Sequence, residues 1–501
     1  MDITVVQGDI TELKTDAAVV NLFEGVKQPG GGTGAVDRAL DGAITDLIAD
    51  GELTGKEGEA VQIHTFGKIA PRRVVVAGLG KREKFDEDAV RRVMGGLCRS
   101  LRAKGVKKVS TIVHGAGIGG MDAGDSAQAI AEGSLLGTYR FSRHRTTAPE
   151  TGEIEEMTLV EVDGSKVAAL EEGVKRGGVI AEAANLARDM ANEPANYMTP
   201  SDMAATAERV ARESGLEVEV LDSEQMDGLG MGAIAGVAKG TRQPPKFIIL
   251  KCRGEGDGAE RNLGLLGKGV TFDSGGISLK PAANMGEMKG DMSGGASVIA
   301  AMGAIGKLKP KINVTGLVPA SENLPDGAAQ KPGDVVRAMN GKTIEIENTD
   351  AEGRLLLADA LSYGRKIGLT SMVDVATLTG AMVIALGHVS SGAFGNDQAL
   401  VESVIGAGRE AGEKIWQMPL FEEYKEQNKS DVADVKNTGG RPAGSITAAQ
   451  FLAEFSEDTP WAHLDIAGTF MSSKTKGYVV KGATGVPVRT LINYVLAQAG
   501  E

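Results

Sequence analysis

Runs of apolar residues mark out two successive α/β patterns along the chain. Residues 3–6, 17–22, 73–77 and 109–114 are short β-rich runs, and residues 36–50 and 86–103 carry apolar positions at helical spacing. Strands alternating with helices predict a mainly parallel sheet. From residue 144 to 164 the chain turns polar and acidic around a short strand at 157–162, so the first domain is expected to span 1–164. Residues 165–192 then form one long helical pattern. It stops at Asn192-Glu193-Pro194, so 165–199 reads as a linker helix.

Residues 200–501 resume the alternation as a second domain. Helices are expected at 204–214 and 293–307, and strands at 216–221, 246–252, 262–266, 312–319 and 371–378. The charged, glycine-rich run 253–261 reads as a hairpin joining two of these strands. Residues 343–347, T-I-E-I-E, alternate as a strand, and 355–361 is an apolar run that predicts a buried helix. The apolar stretch 373–394 contains Asp374, Thr377, Thr379 and His388, which predicts a buried strand and loop rather than a membrane span. The expected fold class is therefore α/β, with two domains, each a mixed, mainly parallel sheet flanked by helices.

Composition refines this picture. At 501 residues the chain is too long for one ordinary core. Aromatics make up only 4% while glycines number 70, which suits aliphatic cores with many tight turns. The net charge of −13 argues against general attraction to nucleic acid or anionic membranes. Two isolated cysteines, Cys98 and Cys252, cannot build a disulfide framework or a thiolate zinc site. Residues 1–4 lack the basic start and apolar core of a signal peptide, so a reducing cytoplasm is the expected location.

Chemistry concentrates in the second domain. In residues 348–361, N-T-D-A-E-G-R-L-L-L-A-D-A-L, Asp350 and Glu352 stand two apart, with Gly353 and Arg354 directly after. They fall between an expected strand and an expected helix, where α/β folds present side chains to a ligand cleft. A solvated turn with Asp350 capping the helix is an equal reading of that stretch alone. Further charged residues sit at glycine turns: Lys268 and Asp273 in 267–276, then Lys280, then Asp291 just before a helix. Four convergent carboxylates cannot all stay ionised without a counter-charge, which hard divalent cations supply. The five histidines, His64, His114, His144, His388 and His463, stand at no ligand spacing, so any metal site must be carboxylate-rich. Lys268 alone reads as a solvated or phosphate-contacting lysine, because an ammonium has no lone pair to give a metal. The glycine-rich run 29–34 invites a phosphate-loop reading, but no G-K-[ST] follows it.

The segments 348–361, 267–276, Lys280 and G-D-M-S-G around Asp291 resemble, in order and spacing, the leucyl (cytosol) aminopeptidase family. The resemblance extends to 185–200, 374–381 and 461–468, and so over the C-terminal two-thirds. It implies a smaller, macro-like N-terminal domain and a larger catalytic domain holding two divalent metal ions, Mn or Zn. By the same resemblance Lys268, Asp273, Asp291, Asp350 and Glu352 are the metal ligands, with Asp273 and Glu352 bridging. Lys280 and Arg354 are the catalytic residues, and Arg354 holds a bicarbonate. Met288, Thr377, Gly380, Ala467 and Phe470 wall the pocket for the first side chain. The implied activity is release of N-terminal Leu or other apolar residues from peptides by metal-activated water, in a cytoplasmic homohexamer. Other readings to be tested are a dinuclear phosphoesterase, a secondary role in nucleic-acid binding, which the net charge disfavours, and nucleotide binding at 29–34.

Overall fold

The computed structural model describes residues 1–117, 119–147, 151–256 and 260–500. The chain divides into two compact units, Met1–Glu182 with Ser473–Lys481, and Ala183–Ser472 with Gly482–Glu501. The helix expected from 165 runs as α5, Val167–Asn192, so this division falls within it.

The first unit is built on β1 (Asp2–Gln7), β2 (Ala17–Phe23), α1 (Gly31–Ala39), α2 (Ala43–Ala49), β3 (Ala60–His64), β4 (Arg73–Gly80), α3 (Glu87–Ala103), β5 (Lys108–Ile112), α4 (Ala123–Gly137) and β6 (Glu156–Glu161). Its six-stranded sheet has the order β1-β6-β5-β2-β4-β3, parallel except for the antiparallel edge strand β3. β2 and β4 are nearly continuous apolar runs because both of their faces are covered. The single helix expected over 36–50 is two helices. Asp41 and Gly42 adopt positive φ between them (56° and 85°) and turn the chain.

The second unit continues with α6 (Pro200–Ser214), β7 (Glu217–Leu221), α7 (Ser223–Leu229), α8 (Gly232–Ala238), β8 (Lys246–Arg253), β9 (Asn262–Gly267), β10 (Gly269–Asp273), α9 (Ser293–Leu308), β11 (Asn313–Asn323), β12 (Val335–Arg337), β13 (Thr343–Glu345), α10 (Gly353–Lys366), β14 (Ser371–Ala376), α11 (Gly380–Leu386), β15 (Ser391–Gly395), α12 (Gln398–Ala411), β16 (Ile415–Gln417), β17 (Val435–Lys436), α13 (Gly444–Ser456) and β18 (Trp461–Asp465). Its large sheet has the order β16-β15-β18-β14-β9-β11-β8-β7, with β10 also pairing with β11. β18, β14, β9 and β11 run parallel, and β8 and β7 complete one side antiparallel. No helix among the described residues is long and apolar enough to cross a membrane. The apolar stretch 373–394 folds instead as the end of β14, α11 and the start of β15.

Two expectations are corrected. Residues 253–261 do not close a hairpin, because β11 lies between β8 and β9, antiparallel to one and parallel to the other. β11 is buried along ten of its eleven residues, and a strand covered on both faces takes a central place. Residues 257–259 of that run lie outside the described residues. The strand at 343–347 is only β13, in a small three-stranded sheet with β12 and β17, so the turn carrying Asp350 and Glu352 does not leave the main sheet.

Helix α10 carries that turn into the core. Leu355, Leu356, Leu357, Ala358, Ala360 and Leu361 are all buried, as expected of an apolar run. One charged residue accompanies them. Asp359 accepts from Ile234 N–H at 2.9 Å and Met339 N–H at 2.8 Å, tying α10 to α8 and to the turn after β12. Asp359→Ala leaves two buried N–H groups unpaired. It should destabilise the protein by roughly 2–5 kcal/mol, read as a lower urea midpoint; an unchanged midpoint would show that the carboxylate anchors nothing.

Candidate metal centre

Every charged residue of the site sits at the carboxyl end of a strand or in a turn facing it. β9 and β10 form one edge along β11, interrupted at Lys268. Lys268 still bonds on both sides: its N–H donates to Val375 O at 3.0 Å and its carbonyl accepts from Gly295 N–H at 2.8 Å. The interruption leaves its side chain buried across the start of α10. Gly353 makes the room, since a Cβ there would lie 2.5 Å from Lys268 Cε. Asp273 ends β10, Asp291 precedes α9, and Asp350 and Glu352 occupy the turn before α10. Glu352 is the N-cap residue of α10 and makes no side-chain cap, and Asp350 caps nothing, so the simple capping reading of this turn does not hold.

These side chains converge. Lys268 Nζ lies 2.8 Å from Asp291 Oδ2 and 2.7 Å from Glu352 Oε1. Lys280 Nζ lies 2.7 Å from Asp273 Oδ2 and 2.5 Å from Asp350 Oδ1. Carboxylate oxygens of Asp273, Asp350 and Glu352 fall within 4.8 Å of one another. Asp273, Asp291 and Glu352 are buried and Asp350 is partly so. Four carboxylates against two ammonium groups leave a negative surplus in a buried space.

The proton affinities register that surplus. Burial, then the nearby Asp273 charge, pushes Glu352 up to about 8, with Lys268 opposing. Burial pushes Asp291 up to about 6, with Lys268 opposing and Asp273 adding to the rise. Burial also raises Asp350, against the pull of Lys280. For Lys268, burial works against the charge, but Asp291, Glu352 and Asp273 outweigh it and hold the ammonium above its ordinary range. Asp291 Oδ2, Asp350 Oδ1 and Glu352 Oε1 make no hydrogen bond of normal geometry and meet only lysine nitrogens. A buried set of hard oxygen donors with excess negative charge fits divalent cations.

Arg354 faces elsewhere. Its Nη1 donates to Asn437 O at 2.7 Å, and its Nε makes no hydrogen bond among the described residues. Burial pushes the guanidinium down to about 10, while Glu352 and Asp465 work the other way. A buried guanidinium with an open donor suits a small planar anion.

The residues expected to wall the pocket differ in how they meet the charged groups. Thr377 joins them directly: its Oγ1 donates to Asp291 Oδ1 at 2.6 Å and its carbonyl accepts from Lys268 Nζ at 3.0 Å. Met288 lies in the 3-10 turn Met285–Gly290, its carbonyl accepting from Asp291 N–H at 3.2 Å. Phe470 packs on Gly290, where a Cβ would come within 2.7 Å of its ring. Ala467 N–H donates to Asp465 Oδ1 at 3.1 Å, and Gly380 opens α11 beside Thr379, whose hydroxyl donates to Asp465 Oδ2 at 2.7 Å. No bond connects Met288 or Gly380 to the other pocket residues among the described residues.

Three supporting residues escaped sequence reasoning. Asn323, at the end of β11, donates from Nδ2 to Asp273 Oδ1 at 2.8 Å and to Thr349 O at 3.0 Å. Asn437, just after β17, accepts at Oδ1 from Glu347 and Asn348 N–H at 2.9 and 3.2 Å, and donates to Asn348 O at 2.7 Å. It therefore clamps the turn that carries Asp350. Asp465 is fully buried and holds the two loops carrying Thr379 and Ala467. Apart from Ala467, two residues from Asp465, their partners lie tens of residues away, so no local spacing marks them. Behind them, Asp374 accepts from Trp461 Nε1 at 2.6 Å and lies 2.6 Å from His463 Nδ1, pinning β14 to β18 away from the carboxylates.

The chain matches two family descriptions: the cytosol aminopeptidase family catalytic domain over residues 185–492 and the cytosol aminopeptidase family N-terminal domain over 19–148. It is 45% identical over 503 residues to a probable cytosol aminopeptidase of Alkaliphilus metalliredigens, covering 100% of both chains. It is 46% identical to that of Alkaliphilus oremlandii, covering 99% of each. Among solved structures, a mutant of tomato leucine aminopeptidase superposes with a TM-score of 0.87 at 32% identity, covering 99% of this chain and 96% of the other. The bottromycin maturation enzyme BotP in complex with Mn gives 0.85 at 33% identity, covering 97% of this chain and 100% of that one.

Asn323→Ala removes the amide that holds Asp273 and the Thr349 carbonyl together. Metal affinity should fall roughly 10- to 100-fold, measured by titrating Mn or Zn back into chelated protein; unaltered affinity would reduce Asn323 to a packing residue.

Proposed function

The chain belongs to the cytosol aminopeptidase family, a peptidase hydrolase with aminopeptidase activity, and from that premise we propose that it removes N-terminal Leu and other apolar residues from peptides in the cytoplasm. The observation that carries this reading is the buried cluster of Asp273, Asp350 and Glu352, whose carboxylate oxygens lie within 4.8 Å of one another between Lys268 and Lys280. In it Asp273 and Glu352 would bridge two divalent ions. Asp350 would complete one ion's shell, and Asp291 with Lys268 the other's. Lys268 would do so only as the neutral amine, so each ion must take over the positive charge that its ammonium now supplies. Mn is the favoured metal, since one structural relative is a complex with Mn, and Zn is the alternative. Such ions supply Lewis acidity and a water of lowered pKa.

The chain's own residues then have distinct tasks. Lys280, held beside Asp273 and Asp350, offers a fixed cation to a developing oxyanion. Arg354, buried and anchored to Asn437 O, keeps an open Nε for a bicarbonate, which in this reading supplies the general base that no histidine provides. Thr377 ties the pocket loop to Asp291, so the side-chain pocket and the metal ligands move as one. Met288, Gly380, Ala467 and Phe470 would complete an apolar pocket that rejects charge by desolvation. The same reading expects a homohexamer, which light scattering would reveal.

A dinuclear phosphoesterase is the alternative chemistry, although such sites mix histidine with carboxylates. Leu-p-nitroanilide should be hydrolysed in the presence of Mn or Zn and p-nitrophenyl phosphate should not; the reverse preference would overturn the proposal. Lys280→Ala and Arg354→Ala should each lower kcat roughly a hundred- to a thousandfold with both metals retained, as measured by mass spectrometry of the purified protein. Loss of metal from either would remove its catalytic assignment. Asp273→Ala should lose metal, and full stoichiometry in that variant would argue against bridging.

A further inference from the structure

The first unit contains a cavity of about 420 Å³ that the peptidase chemistry does not use. It lies outside the carboxyl ends of β1, β6, β5 and β2, four neighbouring parallel strands. Open α/β sheets place ligands in that crevice, and the volume is within the range of small-molecule sites.

Its length indicates the occupant. Asp9 follows β1 and the run Gly30-Gly31-Gly32 follows β2, and both line the cavity. Three strand-to-strand steps separate β1 from β2, which at about 4.8 Å each makes a span of roughly 14 Å. A lone phosphate cannot bridge that distance. The two ends also differ in chemistry. At the β1 end, Asp9 Oδ1 is fixed by Thr11 N–H and Thr11 Oγ1, both at 2.8 Å, which leaves Oδ2 as an acceptor for hydroxyl or amino donors. At the β2 end the wall is bare backbone. Gly31 has a φ of +54° and no atom within 4 Å of where its Cβ would be, so a ligand can approach the main chain closely. Thr33 holds this run to β2 by donating to Asn21 O at 2.8 Å. Among the described residues the Gly31, Gly32 and Thr33 N–H groups have no backbone or side-chain acceptor. Between the two ends Ile10, Val26 and Val160 supply an apolar wall, and Gly115 and Gly117, after β5, bring a second stretch of bare backbone.

We propose that this cavity binds a nucleoside diphosphate, its phosphates on the glycine runs after β2 and β5 and its sugar or base reaching Asp9. The run 29–34, left without a task by the peptidase reading, thereby acquires one. The binding site lies wholly in the first unit and uses none of the residues assigned to peptide hydrolysis.

Calorimetry on the metal-loaded full chain tests it, with ADP and ADP-ribose as probes and AMP, adenosine and inorganic phosphate as comparisons. One molecule of ADP or ADP-ribose should bind per chain, at least tenfold more tightly than phosphate or adenosine. Ala35→Glu places a negative charge on the cavity wall, and Asp9→Ala removes the distal acceptor. Each should weaken ADP binding at least tenfold while peptide hydrolysis stays at the wild-type rate. The proposal is overturned by absence of binding at millimolar ADP and ADP-ribose, by phosphate binding as tightly as ADP, or by full ADP affinity in both variants, which would place the nucleotide elsewhere, for instance on the catalytic metals.

Discussion

Four carboxylates and two ammonium groups share one buried space at the end of the large sheet, and the charge in that space governs much of the surrounding structure. Glu352 and Asp291 are driven toward their protonated forms by burial and by Asp273. Lys268 and Lys280 hold their protons against burial because the carboxylates surround them. Such an arrangement is strained as a set of ions and relaxed as a ligand set, because divalent charge at its centre removes the surplus. The cost of assembling it falls on the scaffold, which must keep like charges together.

The scaffold does so through backbone geometry. The break between β9 and β10 at Lys268 is held by hydrogen bonds to Val375 and Gly295, so the lysine is fixed by the neighbouring strand β14 on one side and by the first turn of α9 on the other. Gly353 gives up its Cβ volume to that side chain. Asn323 and Asn437 bond the Glu347 and Asn348 N–H groups and the Thr349 carbonyl of the turn, and α10, buried among apolar neighbours and anchored at Asp359, follows directly. Arg354 emerges from the same helix yet is directed to Asn437 rather than to the acids two and four residues before it. One helix start thus separates charges of opposite sign: acids toward the two lysines, a guanidinium toward the Asn437 carbonyl.

Much of the architecture was legible in the chain. The alternation of apolar strands with helical patterns identified both α/β sheets, because strands covered on two faces leave nearly continuous apolar runs such as 17–23 and 74–79. The acids of the candidate site stood out at glycine turns near strand ends, and the order and spacing of the motifs around them, shared with the cytosol aminopeptidase family, singled out Lys268 and Lys280 as well. Strand pairing was less legible. Residues 246–253 and 262–267 are close in sequence, yet β11, from fifty residues later, lies between them. Local pattern carries the burial of a strand but not the identity of its neighbours.

The division of labour between sequence and tertiary structure follows from range. The sequence by itself singled out the candidate site residues, Lys268, Asp273, Lys280, Asp291, Asp350, Glu352 and Arg354, because charge in a glycine-rich turn is a local property and the motifs around them match, in order and spacing, those of the cytosol aminopeptidase family. Only the fold decided their pairing: Lys268 with Asp291 and Glu352, Lys280 with Asp273 and Asp350, Arg354 with none of them. It alone brought in Asn323, Asn437 and Asp465, and it joined the ends of β1 and β2 into one cavity. Hydrogen bonds and Coulomb forces act over a few ångströms, and the chain brings residues fifty to a hundred positions apart within that range only once the sheets have formed.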